Sequence, residues 1–307
     1  MSYDIIGDIH GHASVLKALL RELGYRERDG AWRHADRTAI FIGDFIDRGP
    51  HQLETVRIVR AMVEAQAALA IMGNHEFNAI AWHTPDPETP GKHLRPHSSK
   101  NTLQHRAFLT ATDGNPKSRK DVLDWFMTLP LWLDLPGLRA VHACWHPRHI
   151  AFLQPLLQPG NRLDTALIEK ASRRGSAEFH AVEAILKGPE VKLPDGLQFK
   201  MGDDMRSEAR TRWWDATATT FRQSAIVGDA MRPSLPDIDI PEDVRFGYSG
   251  DKPVFIGHYW MTGQPTLLAP RVACVDYSAG KGGPLVAYRW DGERELVQRH
   301  FVGAQSS

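Results

Sequence analysis

The sequence predicts an α/β fold built around a parallel sheet, and three observations carry that prediction. From Tyr3 to Met72 short apolar runs alternate with helical stripes in the order strand, helix, strand, helix, strand. Five apolar runs stop in Gly-Asp, Gly-Asn, Gly-His or His, which sets polar tips at the carboxyl edge where open α/β sheets place their ligands. The closing segment reads as antiparallel β: Arg271 to Tyr277, Leu285 to Trp290, a turn at Asp291-Gly292, and Glu295 to Phe301.

The elements follow in order. Tyr3-Asp4-Ile5-Ile6 is a short strand, and Val15, Leu16, Leu19, Leu20 and Leu23 make the stripe of a helix that Gly24 ends. Tyr25 to Arg37 reads as a hairpin or loop turning at Asp29-Gly30. The strand Ala39 to Ile42 precedes a helix from about Gln52 to Ala67, and Ala68 to Met72 is the third strand. Thr84 to Gln104, rich in Pro, His and Lys, has no apolar period and reads as a surface loop or lid. Val122 to Leu133 reads as a buried helix breaking at Pro130, and Leu138 to Val141 as a strand. Helices are expected near Leu163 to Ser172 and Ala177 to Leu186, and a fifth strand at Pro253 to Ile256. Gly188 to Asp251 is Pro- and Asp-rich and reads as an insertion over the site rather than a separate core. From Gly303 the chain is expected to fray.

Composition narrows the class. Lys+Arg and Asp+Glu are both 37, so no net field draws the chain to nucleic acid or an anionic membrane. No apolar run is long enough to cross a bilayer, and functional-looking residues from Asp8 onward leave no room for a signal peptide. Two cysteines, Cys144 and Cys274, are too few for a disulfide framework. The expected compartment is the cytoplasm.

Asp8 and His10, then Asp44, Asn74, His142 and His258, lie at the ends of these five strands. On an extended segment Asp8 and His10 would project from one side. Carboxylate, imidazole and amide oxygen without thiolate suit a borderline divalent ion such as manganese, iron or zinc. Six donors exceed the needs of one tetrahedral ion. Two ions about 3.5–4 Å apart, sharing a carboxylate, would use them all. Asp47 lies one turn beyond Asp44, placed to hold a neighbour, and Arg48 is a forked donor matched to phosphate.

Gly7-Asp8-Ile9-His10-Gly11, Gly43-Asp44-Phe45-Ile46-Asp47-Arg48-Gly49 and Gly73-Asn74-His75-Glu76 resemble the three signature blocks of calcineurin-like metallophosphoesterases. The branch they are most similar to contains Ser/Thr protein phosphatases and bacterial diadenosine tetraphosphatases. The resemblance implies two mixed sheets face to face with helices outside, as one domain over 1–302 with insertions at about 84–121 and 188–251 and a disordered tail at 303–307. It implies a first ion on Asp8, His10 and Asp44, and a second on Asp44, Asn74, His142 and His258, with manganese expected and iron or zinc as alternatives. A water shared by the ions would attack phosphorus. His75 resembles the general acid, Asp47 the carboxylate that orients it, and Arg48 the phosphoryl ligand. A second phosphate-binding arginine is expected from the insertion, with Arg212 beside Trp213 as the candidate and Arg206 and Arg210 as its rivals. The expected activity is Ser/Thr phosphatase-like phosphomonoester hydrolysis; the alternative is hydrolysis of a dinucleoside polyphosphate such as diadenosine tetraphosphate. The substrate is then a phosphoprotein or a nucleotide.

Two departures stand out. Gly257-His258-Tyr259-Trp260 lacks the second histidine of many relatives, and Ala143-Cys144-Trp145 puts bulk where small residues are usual, narrowing the pocket. Other polar residues carry plainer readings. Glu76 stabilises a helix start. His83, His93, His97, His105, His146, His149 and His180 default to ordinary surface histidines, with His146 also a candidate to hold a ligand in place. Trp213-Trp214 reads as packing ahead of a platform for a base. A scaffold that has lost catalysis would not need His75, Asp47 and Arg48 together.

Overall fold

Two five-stranded sheets lie at the centre of the computed structural model, which describes residues 1–201 and 204–304. The chain begins β1 (Ser2–Ile6), α1 (Ala13–Glu22), β2 (Arg37–Phe41), α2 (Gln52–Glu64), β3 (Ala68–Ala70) and α3 (Asn74–His83). Next come α4 (Ser99–Ala111), α5 (Pro116–Phe126), β4 (Trp132–Asp134) and β5 (Arg139–Val141). Helices α6 (Pro147–Leu153), α7 (Thr165–Ala171) and α8 (Ala177–Lys187) precede the long insertion. The chain closes with β6 (Val254–Ile256), β7 (Leu267–Ala269), β8 (Val272–Cys274), β9 (Leu285–Trp290) and β10 (Phe301–Ala304).

The first sheet has the order β10-β9-β1-β2-β3 and the second β7-β8-β6-β5-β4. Both are mixed: β1, β2 and β3 run parallel, β9 is antiparallel to both β1 and β10, and β5, β6 and β8 run parallel with antiparallel edges β4 and β7. Alternation of side chains divides the core in two. Tyr3, Ile5, Ile40, Tyr288 and Trp290 of the first sheet meet Leu138, Ala140, Phe255 and Ala273 of the second. The residues between them, such as Ile6, Phe41 and Ala70, point the other way, into the helix layer with Leu16, Leu20 and Val59. Strands buried on both faces read as unbroken apolar runs, which is why β1, β2 and β6 were legible. The arrangement is the expected two-sheet α/β sandwich. No helix among the described residues is long and apolar enough to cross a membrane.

Several expectations need correction. Thr84 to Gln104 is a loop only to Ser98, whose side chain accepts from the Asn101 N–H and starts α4. Only His105 and Phe108 of α4 are buried, so the sequence shows no apolar stripe. The helix expected at Val122 to Leu133 starts earlier, capped by Asn115 with Pro116 in its first turn, and ends at Phe126. Trp132–Asp134 is instead a strand paired with β5. The tail divides between sheets: β8 joins the second, β9 and β10 the first. The last strand is Phe301–Ala304, and Gly303 and Ala304, expected to fray, pair with Val286 and Leu285. Residues 305–307 lie outside the described residues. The insertion at 188–251 does bury a small cluster of its own, including Val191, Phe221, Leu235 and Ile240.

Candidate active site

The carboxyl ends of β1, β2, β3, β5 and β6 deliver Asp8, His10, Asp44, Asn74, His142 and His258 to one buried cluster. All six are at most 7% exposed. Asp8 and His10 do not alternate along a strand as expected, because β1 stops at Ile6 and His10 has φ 48°. Asp44, Asp47, Arg48 and His258 also lie in the left-handed region, at φ 53°, 69°, 69° and 72°. Such strain is costly for residues with a Cβ and persists where neighbours fix the backbone. Here the His10 N–H donates to the Asp44 carbonyl at 2.9 Å and the Gly49 N–H to the His10 carbonyl at 2.9 Å.

Asp44 is the hub. Its Oδ1 is 3.4 Å from His142 Nε2 and accepts from the His75 N–H at 3.0 Å; its Oδ2 is 3.7 Å from His10 Nε2 and 3.9 Å from His75 Nε2. Ligand atoms of His10, Asp44 and His75 lie within 4.8 Å of one another, as do those of Asp44, His142 and His258; the first group holds His75 where Asp8 was expected. Glu76 ties the turn together, accepting from the Asp44 and Phe45 N–H groups at 2.8 Å and from Gly73 at 2.9 Å. Its role at a helix start therefore extends to the turn after β2. Burial, then Asp44, raises its pKa to about 7.

The donor set fits divalent cations. A backbone carbonyl can only accept, so the His10 Nδ1 facing Ile46 O at 2.9 Å donates, as does His142 Nδ1 to Ile42 O at 2.7 Å. Both Nε2 lone pairs are thereby turned inward. His142 Nε2 then faces both Asn74 Oδ1 at 3.2 Å and Asp44 Oδ1 at 3.4 Å; burial is outweighed by Asp44, which raises the His142 pKa, so without a cation this nitrogen carries a proton between the two oxygens. Asp8 Oδ1, His10 Nε2 and His258 Nε2 are buried without a hydrogen-bond partner. Buried lone pairs without donors are costly unless a cation meets them. Burial, then His75, lowers His10 to about 3, and burial, then Arg210, lowers His258, so both rings are neutral as ligation requires. Burial would raise Asp44, but His142 and then His75 outweigh it and hold the carboxyl below its usual range. Burial, then Asp276 and Asp44, raises Asp8.

Beside this cluster His75 Nδ1 is 2.6 Å from Asp47 Oδ2, and His105 Nδ1 is 3.0 Å from Asp47 Oδ1. One buried carboxylate thus holds two imidazoles. Burial works against its charge, yet the His105 and His75 hydrogen bonds lower its pKa. His75 is raised, burial being outweighed by Asp44 and Asp47. His105 was not legible as a site residue. It sits 58 residues from Asp47 on a mostly polar helix, with no local signal. Arg48 is exposed, its guanidinium carbon 4.4 Å from the Trp260 ring centre, and Lys281 Nζ lies 3.5 Å from the same ring.

The insertion arginines Arg210 and Arg212 lie in different surroundings. Arg212 has Arg232, Asp215 and Asp229 as its charged neighbours. Arg210, on the ribbon pairing Glu190–Lys192 with Glu208–Arg210, lies over Tyr259 and acts electrostatically on His258. Trp213 and Trp214 are buried; Trp213 Nε1 donates to Tyr259 Oη at 2.9 Å, so the pair packs rather than presenting a face to a base. His146 caps α6, its Nδ1 accepting from the His149 N–H.

Gly257 lies against the cluster, and a Cβ there would sit 2.2 Å from Asp8 Oδ1. Gly257→Ala is therefore expected to displace that carboxylate and weaken divalent-ion binding by at least about tenfold. Calorimetric titration with Mn2+ checks this, and the melting temperature of the metal-free protein checks that the fold survives.

The family model for calcineurin-like phosphoesterases matches residues 1–156. Over 76 residues the chain is 46% identical to an asymmetrical bis(5'-nucleosyl)-tetraphosphatase PrpE of Halalkalibacterium halodurans, covering 24% of this chain and 31% of that one. The chain thus spans less than two thirds of that relative's length. A symmetrical bis(5'-nucleosyl)-tetraphosphatase of Nitrosococcus oceani is 26% identical over 327 residues, covering 99% of this chain and 98% of the relative. The fold is similar to a protein serine/threonine phosphatase of Saccharomyces cerevisiae, with TM-score 0.53 and 13% identity over 100% of this chain and 80% of that one. The chain belongs to the calcineurin-like phosphoesterase family.

Proposed function

We propose that this chain hydrolyses dinucleoside tetraphosphates symmetrically, with two divalent ions held by Asp8, His10, Asp44, Asn74, His142 and His258 and shared through Asp44. The observation that carries the metal half is the set of buried lone pairs without a hydrogen-bond partner around Asp44. The substrate half is supported by the relative that spans nearly all of the chain, named as a symmetrical bis(5'-nucleosyl)-tetraphosphatase. That support shifts the reading from the phosphomonoesterase expected first to its alternative.

When bound, such a pair of ions supplies a nucleophilic water at neutral pH and neutralises phosphoryl oxygens. The protein's own groups do the rest. His75, its Nδ1 fixed on Asp47, keeps Nε2–H as a hydrogen-bond donor to the departing oxygen: it stabilises a departing ADP phosphate and would give a full proton only to a more basic alkoxide. Arg48, exposed at the entrance, offers its fork to the phosphoryl oxygens, and Arg210 replaces Arg212 as the second cation. Glu76 and Gly73 hold the Asp44 turn rigid.

Manganese is the proposed ion, a choice supported by the mixed carboxylate, imidazole and amide donors. The cytoplasm as compartment is supported by two free, buried cysteines. The reading treats 1–302 as one domain whose insertions border the site.

Turnover of diadenosine tetraphosphate, a phosphopeptide and p-nitrophenyl phosphate under Mn2+ tests it. The expected result is kcat/KM for the dinucleotide at least about 100-fold above the phosphopeptide, a ratio within reach of pocket contacts, with ADP as the sole product. Preference for the phosphopeptide would restore the phosphomonoesterase reading. ATP and AMP as products would exclude symmetrical cleavage.

A further inference from the structure

A cavity of about 560 Å3 opens directly beside Arg48. Arg48, Gly49 and Pro50 form one wall and α4 the other. Helix α4 has two working faces. His105 and Phe108 are buried, with His105 on Asp47 and its ring stacked on Phe108 at 5.0 Å, which fixes the helix against the catalytic turn. Leu103, Ala107, Thr110 and Ala111 recur at the spacing of one helix face and line the cavity. Leu103 is 62% exposed, a large apolar side chain left to water at the edge of this cavity. Two alanines on that face keep the groove open. Gln104 accepts from Arg95 Nη2 through Oε1, which leaves its NH2 group as a donor.

The lining is mixed, with Pro50, Leu103, Ala107 and Ala111 apolar and Arg48, Gln104, Arg106 and Thr110 polar, and apolar surface with a few polar groups is the make-up of a small-molecule site. Because the groove begins at Arg48, a ligand anchored there by phosphate carries its next group into it. The insertion tryptophans, buried as they are, offer no competing platform. We propose that the groove between Pro50 and α4 is the nucleoside subsite, seating the base of one half of the substrate against Leu103, Ala107 and Pro50 while its phosphates lie on Arg48. This assignment rests on the dinucleoside tetraphosphate reading and adds where the nucleoside sits.

The test compares ADP with inorganic pyrophosphate as competitive inhibitors of p-nitrophenyl phosphate turnover. Both carry two phosphates; only ADP has a nucleoside. In the wild type ADP is expected to bind at least about tenfold tighter than pyrophosphate, and Ala107→Trp, which fills the groove, to bring the two inhibition constants together. Leu103→Asp, at an exposed position, is the second variant and is expected to act in the same direction. The subsite is overturned if wild type does not discriminate between the inhibitors, or if discrimination survives both variants. A wild type that discriminates through the groove but leaves diadenosine tetraphosphate intact would overturn the substrate reading and keep the subsite. A wild type that cleaves the dinucleotide with no such discrimination would do the reverse.

Discussion

Replacing Asp44 by Asn is expected to lower kcat by at least about 1000-fold, the scale of losing a shared metal ligand together with the charge it neutralises. Asp44 faces three imidazoles, those of His142, His10 and His75, at 3.4, 3.7 and 3.9 Å. An amide keeps the shape and the hydrogen bond from the His75 N–H, so the turn is preserved while the charge is lost. Steady-state turnover of diadenosine tetraphosphate, with circular dichroism to confirm folding, separates a chemical loss from a structural one. Unchanged activity in the variant would mean that the catalytic centre lies elsewhere.

His75→Asn is expected to cost about 10²- to 10⁴-fold in kcat for an alkyl phosphate, the range typical of a lost general acid. For p-nitrophenyl phosphate, whose leaving group departs without a proton, the loss is expected to be at least about tenfold smaller. His105 acts one step back, as a positioning residue through Asp47. His105→Leu removes one of the two donors to that carboxylate, and a loss of about tenfold is expected, with the same leaving-group dependence. His105→Asn retains a donor near the Nδ1 position and is expected to recover most of it. Rate against leaving-group pKa is the measurement. Equal losses on both substrates would assign His75 and His105 to structure alone.

Much of the metal cluster was legible because each member follows an apolar strand, and strands buried on both faces announce themselves. Asp44, Asn74, His142 and His258 follow such runs. The remainder depended on long-range pairing. No residue near Arg271 tells whether β8 joins the first sheet or the second, since its partner β6 is reached only through the fold. His105 looked like a surface histidine because α4 buries only two side chains. Arg210 and Arg212 would share a face in a continuing strand, but the ribbon stops at Arg210 and the Arg212 N–H turns to the Ser224 carbonyl. The break in pairing gives the two arginines different surroundings, Arg210 over Tyr259 and Arg212 beside Asp215 and Asp229.

Metal stoichiometry tests the central claim most directly. Protein stripped with a chelator and titrated with Mn2+ is predicted to take up two ions per chain, and the Asp44→Asn variant one at most. Uptake of no ion by the wild type, or two by the variant, would contradict the shared-carboxylate centre on which the account rests.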